Sequence, residues 1–308
     1  MPAVYRLCCF TRADQPCYGI FLEDQIVDLA QTHLADRLPL HAEQPLVELC
    51  DADDSLAEAL QSIADQPEPQ ALVSRAAVQL LPPIRRPPKL LLLAGNYPEH
   101  VQEQGDVVAE RRETFPYVFM KPPTTTLVGD RSHVTIPVNS PQRIDYELEL
   151  AVVIGRRGCD LEAADALQYV AGYTIINDLS DRGFRPHPQR RERPRDKFFD
   201  WLHGKWHDGF CPCGPCLVPA RFISDPQRLE MRLTVNGHVR QQANTGQMVF
   251  GVAETIEFIS RFVTLEPGDI ISTGTPAGVG NATGQYLEPG DRIAAEIPPI
   301  GELVTTMI

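Results

Sequence analysis

Apolar positions along this chain fall in short runs of three to eight residues more often than in long helical periods. Such runs occupy residues 5–10, 19–21, 25–29, 90–94, 117–120, 148–154, 170–176, 229–235, 270–272 and 292–297. Gly, Pro and Asn-Gly signals separate many of them, so each predicts a strand. Asn236-Gly237 predicts a two-residue hairpin turn. Helical spacing is confined to residues 55–64 (Leu56, Ala59, Leu60, Ile63), 161–167 and 248–262 (Val249, Val252, Ile256, Ile259). The apolar face of 248–262 is also a candidate for packing against a partner subunit.

Four prolines in the eight residues PPIRRPPK, 82–89, exclude a helix or a central strand. They divide the chain into a small N-terminal α+β domain (1–81), a Pro-rich linker (82–88) and a larger, mainly β domain (89–308). The fold class expected is α+β.

One strand breaks the apolar pattern. In RIDYELELAVVIG, residues 143–155, Glu147 and Glu149 share a face, Asp145 roughly joins them, and Leu148, Leu150 and Val152 face the other way. A solvated outer face would account for this without any function. The next strand, in AGYTIINDLSDRG, runs into Asp178 where it should end. Three carboxylates at strand ends suit a hard cation such as Mg²⁺ or Mn²⁺, with coordination sites left for a bidentate 2-oxo acid or 1,3-diketone enolate.

Charge and composition narrow the classes. A net charge of −13 disfavours nucleic-acid binding. The N-terminus lacks a signal-peptide apolar core, and no run is long enough to span a bilayer, which predicts a cytoplasmic protein that binds no membrane. Eight cysteines in such a protein read as reduced thiols. Cys211, Cys213 and Cys216 invite a zinc reading, but no second ligand cluster accompanies them and the prolines read as a constrained turn.

YELELAVVIG followed by YTIINDLSDR resembles the metal-binding signature of the fumarylacetoacetate hydrolase family. AGNYPEHVQE, FMKPPTTTLVG, HGKWHDGFCPCGP and GDIISTGTPAGVG resemble further motifs of that family, in its order, across most of residues 90–300. The resemblance implies a mainly antiparallel β-roll and a homodimer. It implies Glu147, Glu149 and Asp178 as ligands of Mg²⁺, with Mn²⁺ or Ca²⁺ as alternatives. His100 and Glu103 match the family's acid–base pair, three apart on a short helix in a segment that is often a mobile lid. Lys205 matches its oxyanion- or carboxylate-binding lysine, and Thr275 lies in its substrate-contacting turn.

The chain departs from the family after the metal Asp, where the usual S/T-A-R-D-x-Q reads Ser180-Asp181-Arg182-Gly183-Phe184-Arg185. After Lys205 the usual Ser-Phe reads Trp206-His207. The Arg-rich stretch that follows Asp178 is either charge-balanced by Glu192 and Asp196 or an anion-attracting rim. On the second reading Arg185, or its neighbour Arg182, clamps a second substrate carboxylate.

The activity this implies is metal-dependent hydrolysis of a C–C bond in an acylpyruvate-like 2-oxo acid or 1,3-dicarbonyl, of the kind met in aromatic catabolism, through an enolate that the ion stabilises. Decarboxylation or keto–enol isomerisation of an oxo-dicarboxylate on the same site is the alternative. A non-catalytic, metal-stabilised binding or scaffold protein is the reading from another class. It is kept open by Gly183, Arg185 and Trp206, and opposed by the complete ligand set and acid–base pair.

Overall fold

The computed structural model describes residues 4–103, 105 and 113–308. Among them the fold is mixed α+β and rich in strand. A 12-stranded open sheet and a five-stranded sheet carry most of the chain. The large sheet ends on strands Leu72–Ser74 and Tyr117–Met120. Most pairings are antiparallel; Leu90–Ala94 runs parallel to Ile270–Ser272.

The N-terminal strands extend this sheet. Strand Leu7–Arg12 pairs through Leu7 with Leu217 of strand Cys211–Pro219, at the middle of the sheet. Within the Pro-rich segment Pro82, Pro83 and Ile84 are buried, so its first half is docked on the body of the protein.

The strands that place the acidic residues are buried on both faces. Leu148, Leu150 and Val152 enter one hydrophobic cluster, while Ala151 and Val153 enter the other. The alternation puts Glu149 on the Ala151–Val153 side, away from water. The solvated-face explanation of the acidic pair therefore fails: Glu149 is 0% exposed and Glu147 5%.

Apolar runs bounded by turns form the expected strands, with Leu90–Ala94, Tyr117–Met120, Leu148–Ile154, Ile270–Ser272 and Arg292–Ile297 at the predicted residues. Asn236 and Gly237 both take positive φ, 50° and 79°, the geometry that a hairpin turn of this kind needs.

Three expectations are corrected. The CPCGPC segment is strand, Cys211–Pro219, and every residue in it is buried. Its pairing with Val170–Asn177 shifts register between Tyr173 and Ile175, and Pro215 falls in this irregularity, where it owes the ladder no N–H. The helix predicted at 248–262 is only Val252–Ser260, because Asn96 draws off the preceding backbone: Val249 N–H donates to its carbonyl (2.8 Å) and Phe250 N–H to its side-chain oxygen (2.9 Å). That helix turns Val252, Ile256 and Ile259 into the core. The helix at 161–167 is reduced to Ala163–Ala166, followed by a 3₁₀ turn into the next strand.

Candidate active site

The carboxylates meet because of register. Leu148 pairs with Asn177 and Glu149 with Ile176, so Glu147 stands opposite Asp178 at the open end of the ladder. Asp178 N–H donates to the Glu147 carbonyl at 2.8 Å. Opposite residues share a face, and Glu149 is two places along on that same face. One carboxylate oxygen from each of Glu147, Glu149 and Asp178 lies within 4.8 Å of the others, all three side chains being buried.

This cage is built for positive charge. Glu149 Oε2 accepts from the Ser272 hydroxyl (2.6 Å) and Gly274 N–H (2.9 Å), while Oε1 is buried without a partner. Burial, reinforced by Asp178 and Glu147, pushes the Glu149 carboxyl well above the usual carboxylate range. Burial would raise Glu147 as well, but Lys205, Arg182 and His100 overcome it and hold this carboxyl at about 2. An orphaned carboxylate oxygen beside two more carboxylates fits a divalent cation. The oxygen-only donor set favours a hard ion over zinc.

Cations already surround the cage. Lys205 donates to Asp178, to Glu147 (3.1 Å) and to the Ser180 hydroxyl (2.9 Å), beneath the rings of Phe119 and Trp201. Arg182 bonds Glu147 and, through Nε, Asp145 (3.0 Å). Lys121, fully buried, donates to Asp178 and to the Leu179 (2.9 Å) and Phe210 (2.5 Å) carbonyls. All three Lys121 protons are used, so this lysine anchors Asp178 and is closed to substrate.

The short helix Pro98–Glu103 carries the acid–base pair. His100 Nδ1 lies 2.7 Å from Glu103 Oε1, and Glu103 Oε2 accepts from Gly278 N–H at 2.8 Å. A carboxylate only accepts, so Nδ1 carries the proton and Nε2 remains for chemistry. His100 lines a cavity of about 770 Å³ together with Arg182, Phe184, Arg185, Lys197 and Trp201. The segment that carries this pair, expected to be a lid, is described through Glu103 and at Gly105; residues 104 and 106–112 lie outside the described residues.

The remaining sequence candidates separate. Arg185 is exposed on the cavity wall and makes no ion pair among the described residues. Arg190 and Arg193 pair with Asp196 (2.9 and 3.0 Å), and Arg190 also bonds Asp200, so this part of the Arg-rich stretch is charge-balanced. Thr275 is buried, and its hydroxyl accepts from Gln241 Nε2 at 2.8 Å. Asp145 stands apart from the carboxylate cage. Besides Arg182 it accepts from the N–H groups of Gly280 (2.5 Å) and Asn281 (3.1 Å).

Two groups escaped the sequence reading. The Lys121 ammonium was visible only as part of a motif. Gln241 joins the Leu148 N–H (3.0 Å) to Thr275 and Pro276, and nothing in its sequence neighbourhood marks it.

Comparison with known proteins places the chain among its relatives. The model of the fumarylacetoacetate (FAA) hydrolase C-terminal domain matches residues 89–308. The mitochondrial oxaloacetate tautomerase fahd2 of Xenopus laevis is 36% identical over 98% of this chain and 90% of its own. The mitochondrial oxaloacetate tautomerase FAHD2A of Bos taurus is 39% identical over 77% of this chain and 72% of its own. Among solved structures, maleylpyruvate hydrolase from Sphingobium sp. SYK-6 superposes with a TM-score of 0.75 at 28% identity, covering 98% of this chain and 99% of that one.

Proposed function

The chain belongs to the fumarylacetoacetate hydrolase family, and from that premise we propose that it is a divalent-metal-dependent keto–enol tautomerase of a small 2-oxo dicarboxylate, oxaloacetate or a close analogue. Hydrolysis, the activity first expected from the motifs, takes second place. The observation that carries the proposal is near full-length similarity to an oxaloacetate tautomerase. The buried carboxylate cage, with His100 acting on Glu147 by its charge, and the His100–Glu103 pair support it.

Glu147, Glu149 and Asp178 would hold the ion, with Mg²⁺ the ion favoured by all-oxygen ligation. When bound, such an ion withdraws electron density from a 2-oxo group and acidifies the neighbouring carbon. The chain supplies the proton traffic. His100 Nε2 takes a proton from C3 of the keto form and returns one in the reverse direction, while Glu103 holds the ring by its other nitrogen. Tautomerisation needs no water aimed at a carbonyl, only a base at C3 and a proton donor at the C2 oxygen. Arg185, at the cavity wall, supplies charge for the distal carboxylate, and Arg182 backs it from the Glu147 side.

Acylpyruvate cleavage is the second reading, supported by the similarity to maleylpyruvate hydrolase. A substrate panel of enol-oxaloacetate, keto-oxaloacetate and acylpyruvates, with products identified by proton NMR, separates the two. The proposal expects enol–keto conversion without pyruvate or carboxylic-acid fragments. Cleavage products at a rate exceeding tautomerisation would replace it with the second reading.

A further inference from the structure

The segment 181–185 carries three cavity-lining residues, Arg182, Phe184 and Arg185. What holds it is the Asp181 carboxylate, which is completely buried. Oδ1 accepts from the Ser140 hydroxyl and from Gly183 N–H, both at 2.9 Å. Oδ2 lies 3.2 Å from His207 Nε2, which carries the proton between them. The Asp181 N–H donates to the Gly204 carbonyl at 2.9 Å, one residue before Lys205. The His207 ring then stands edge-on to Phe184, with centroids 5.1 Å apart at 88°. One carboxylate thus ties together the Ser140 loop, the 181–185 turn and the segment that carries Lys205.

A Cβ built on Gly183 would lie 3.5 Å from both Asp181 Oδ1 and Ser140 Oγ. That is ordinary contact, so a side chain fits there, and an acid at residue 183 with residue 181 cut back to alanine would stand close to the same partners. His207 supplies the donor that the second oxygen of the Asp181 carboxylate needs.

We infer that Asp181 and His207 are positioning residues: the buried carboxylate and its imidazole partner fix the 182–185 turn against the cavity and so set the affinity for a dicarboxylate. Neither residue lines the cavity. The kinetic part of this inference rests on the tautomerase reading; the binding part does not.

The experiment compares the unaltered chain with Asp181→Ala, His207→Phe and the double variant Asp181→Ala/Gly183→Asp. It reads KM and kcat for enol-oxaloacetate, and calorimetric Kd values for malate in saturating Mg²⁺ and for Mn²⁺ alone. Malate keeps both carboxylates and an oxygen at C2 but cannot tautomerise. Loss of the brace should raise KM and the malate Kd about tenfold, with kcat within about threefold and a smaller change in Mn²⁺ affinity, since Arg182 of the braced turn also bonds Glu147. Placing the acid at residue 183 instead should recover most of the loss. Unchanged malate affinity in both single variants, or a double variant no better than Asp181→Ala, would overturn the inference. Should Asp181→Ala fail to fold, His207→Phe carries the test, because its ring keeps the contact with Phe184 and loses only the donor. If tautomerisation is the wrong reaction, the unaltered chain shows no turnover while malate affinity still responds to the variants.

Discussion

Glu147 and Asp178 face each other across the end of an antiparallel ladder, joined by the 2.8 Å hydrogen bond from the Asp178 N–H to the Glu147 carbonyl. Their side chains are therefore placed by backbone geometry before any ion arrives. Glu147→Gln and Asp178→Asn keep size and burial but remove charge from the cage. Each is expected to weaken Mn²⁺ binding roughly 100-fold or more, beyond what partners outside the ligand set cost. Calorimetric titration of the metal-free protein checks this.

Glu149 gives the cage a pH dependence whose sign can be worked out. Its folded carboxyl titrates well above its ordinary value of 4.5. Between 4.5 and that raised value the folded metal-free chain holds a proton that the unfolded chain has released. Stability from this group therefore falls as pH rises through that window. Metal uptake requires the carboxylate, so binding should release a proton and tighten as pH rises. Melting curves of metal-free protein across this range, with and without Mg²⁺, should show the metal's stabilisation growing with pH. Glu149→Gln should abolish that growth.

Lys121 is bonded to Asp178 and two carbonyls with no exposure to solvent. Lys121→Met would leave Asp178 short of a partner and orphan both carbonyls. The expected loss is about 3–5 kcal/mol of folding free energy, read by urea denaturation. Added metal should offset part of it by restoring charge to Asp178.

Glu103 has two tasks, holding His100 and receiving Gly278 N–H. Glu103→Gln keeps an acceptor but weakens the hold on the ring. A fall in kcat of roughly 10²–10⁴-fold is expected if the pair performs the proton transfer. Malate affinity should change much less. Comparable losses in both would assign Glu103 to substrate binding instead.

Arg185 carries charge at the cavity wall without an ion-pair partner among the described residues. Arg185→Ala should raise KM for a 2-oxo diacid more than for a 2-oxo monoacid. Equal effects on both would remove Arg185 from carboxylate recognition.

Much of this was legible in the sequence because the signals were local. The run Leu90–Ala94 is uninterrupted and lies between Pro88 and Gly95. The two-residue spacing of Glu147 and Glu149 states a shared face, and Asp178 marks the end of the neighbouring strand. What stayed hidden depends on distant partners. Strand Cys211–Pro219 was masked by its prolines, of which Pro215 sits in the register shift opposite Thr174. Arg182 lines the cavity and also pairs with Asp145 and Glu147, partners that its sequence neighbourhood does not reveal. Gln241 reaches the site from strand His238–Asn244 of the other sheet, a placement that no spacing along the chain encodes.

The most direct test of the account is stopped-flow ultraviolet absorbance of enol-oxaloacetate, comparing the unaltered chain with Glu149→Gln, each with and without Mg²⁺. The account predicts rapid loss of the enol signal only for the unaltered chain with Mg²⁺, yielding keto-oxaloacetate and no pyruvate. An enol decay no faster than in buffer, or one equally fast in Glu149→Gln or without metal, would contradict it.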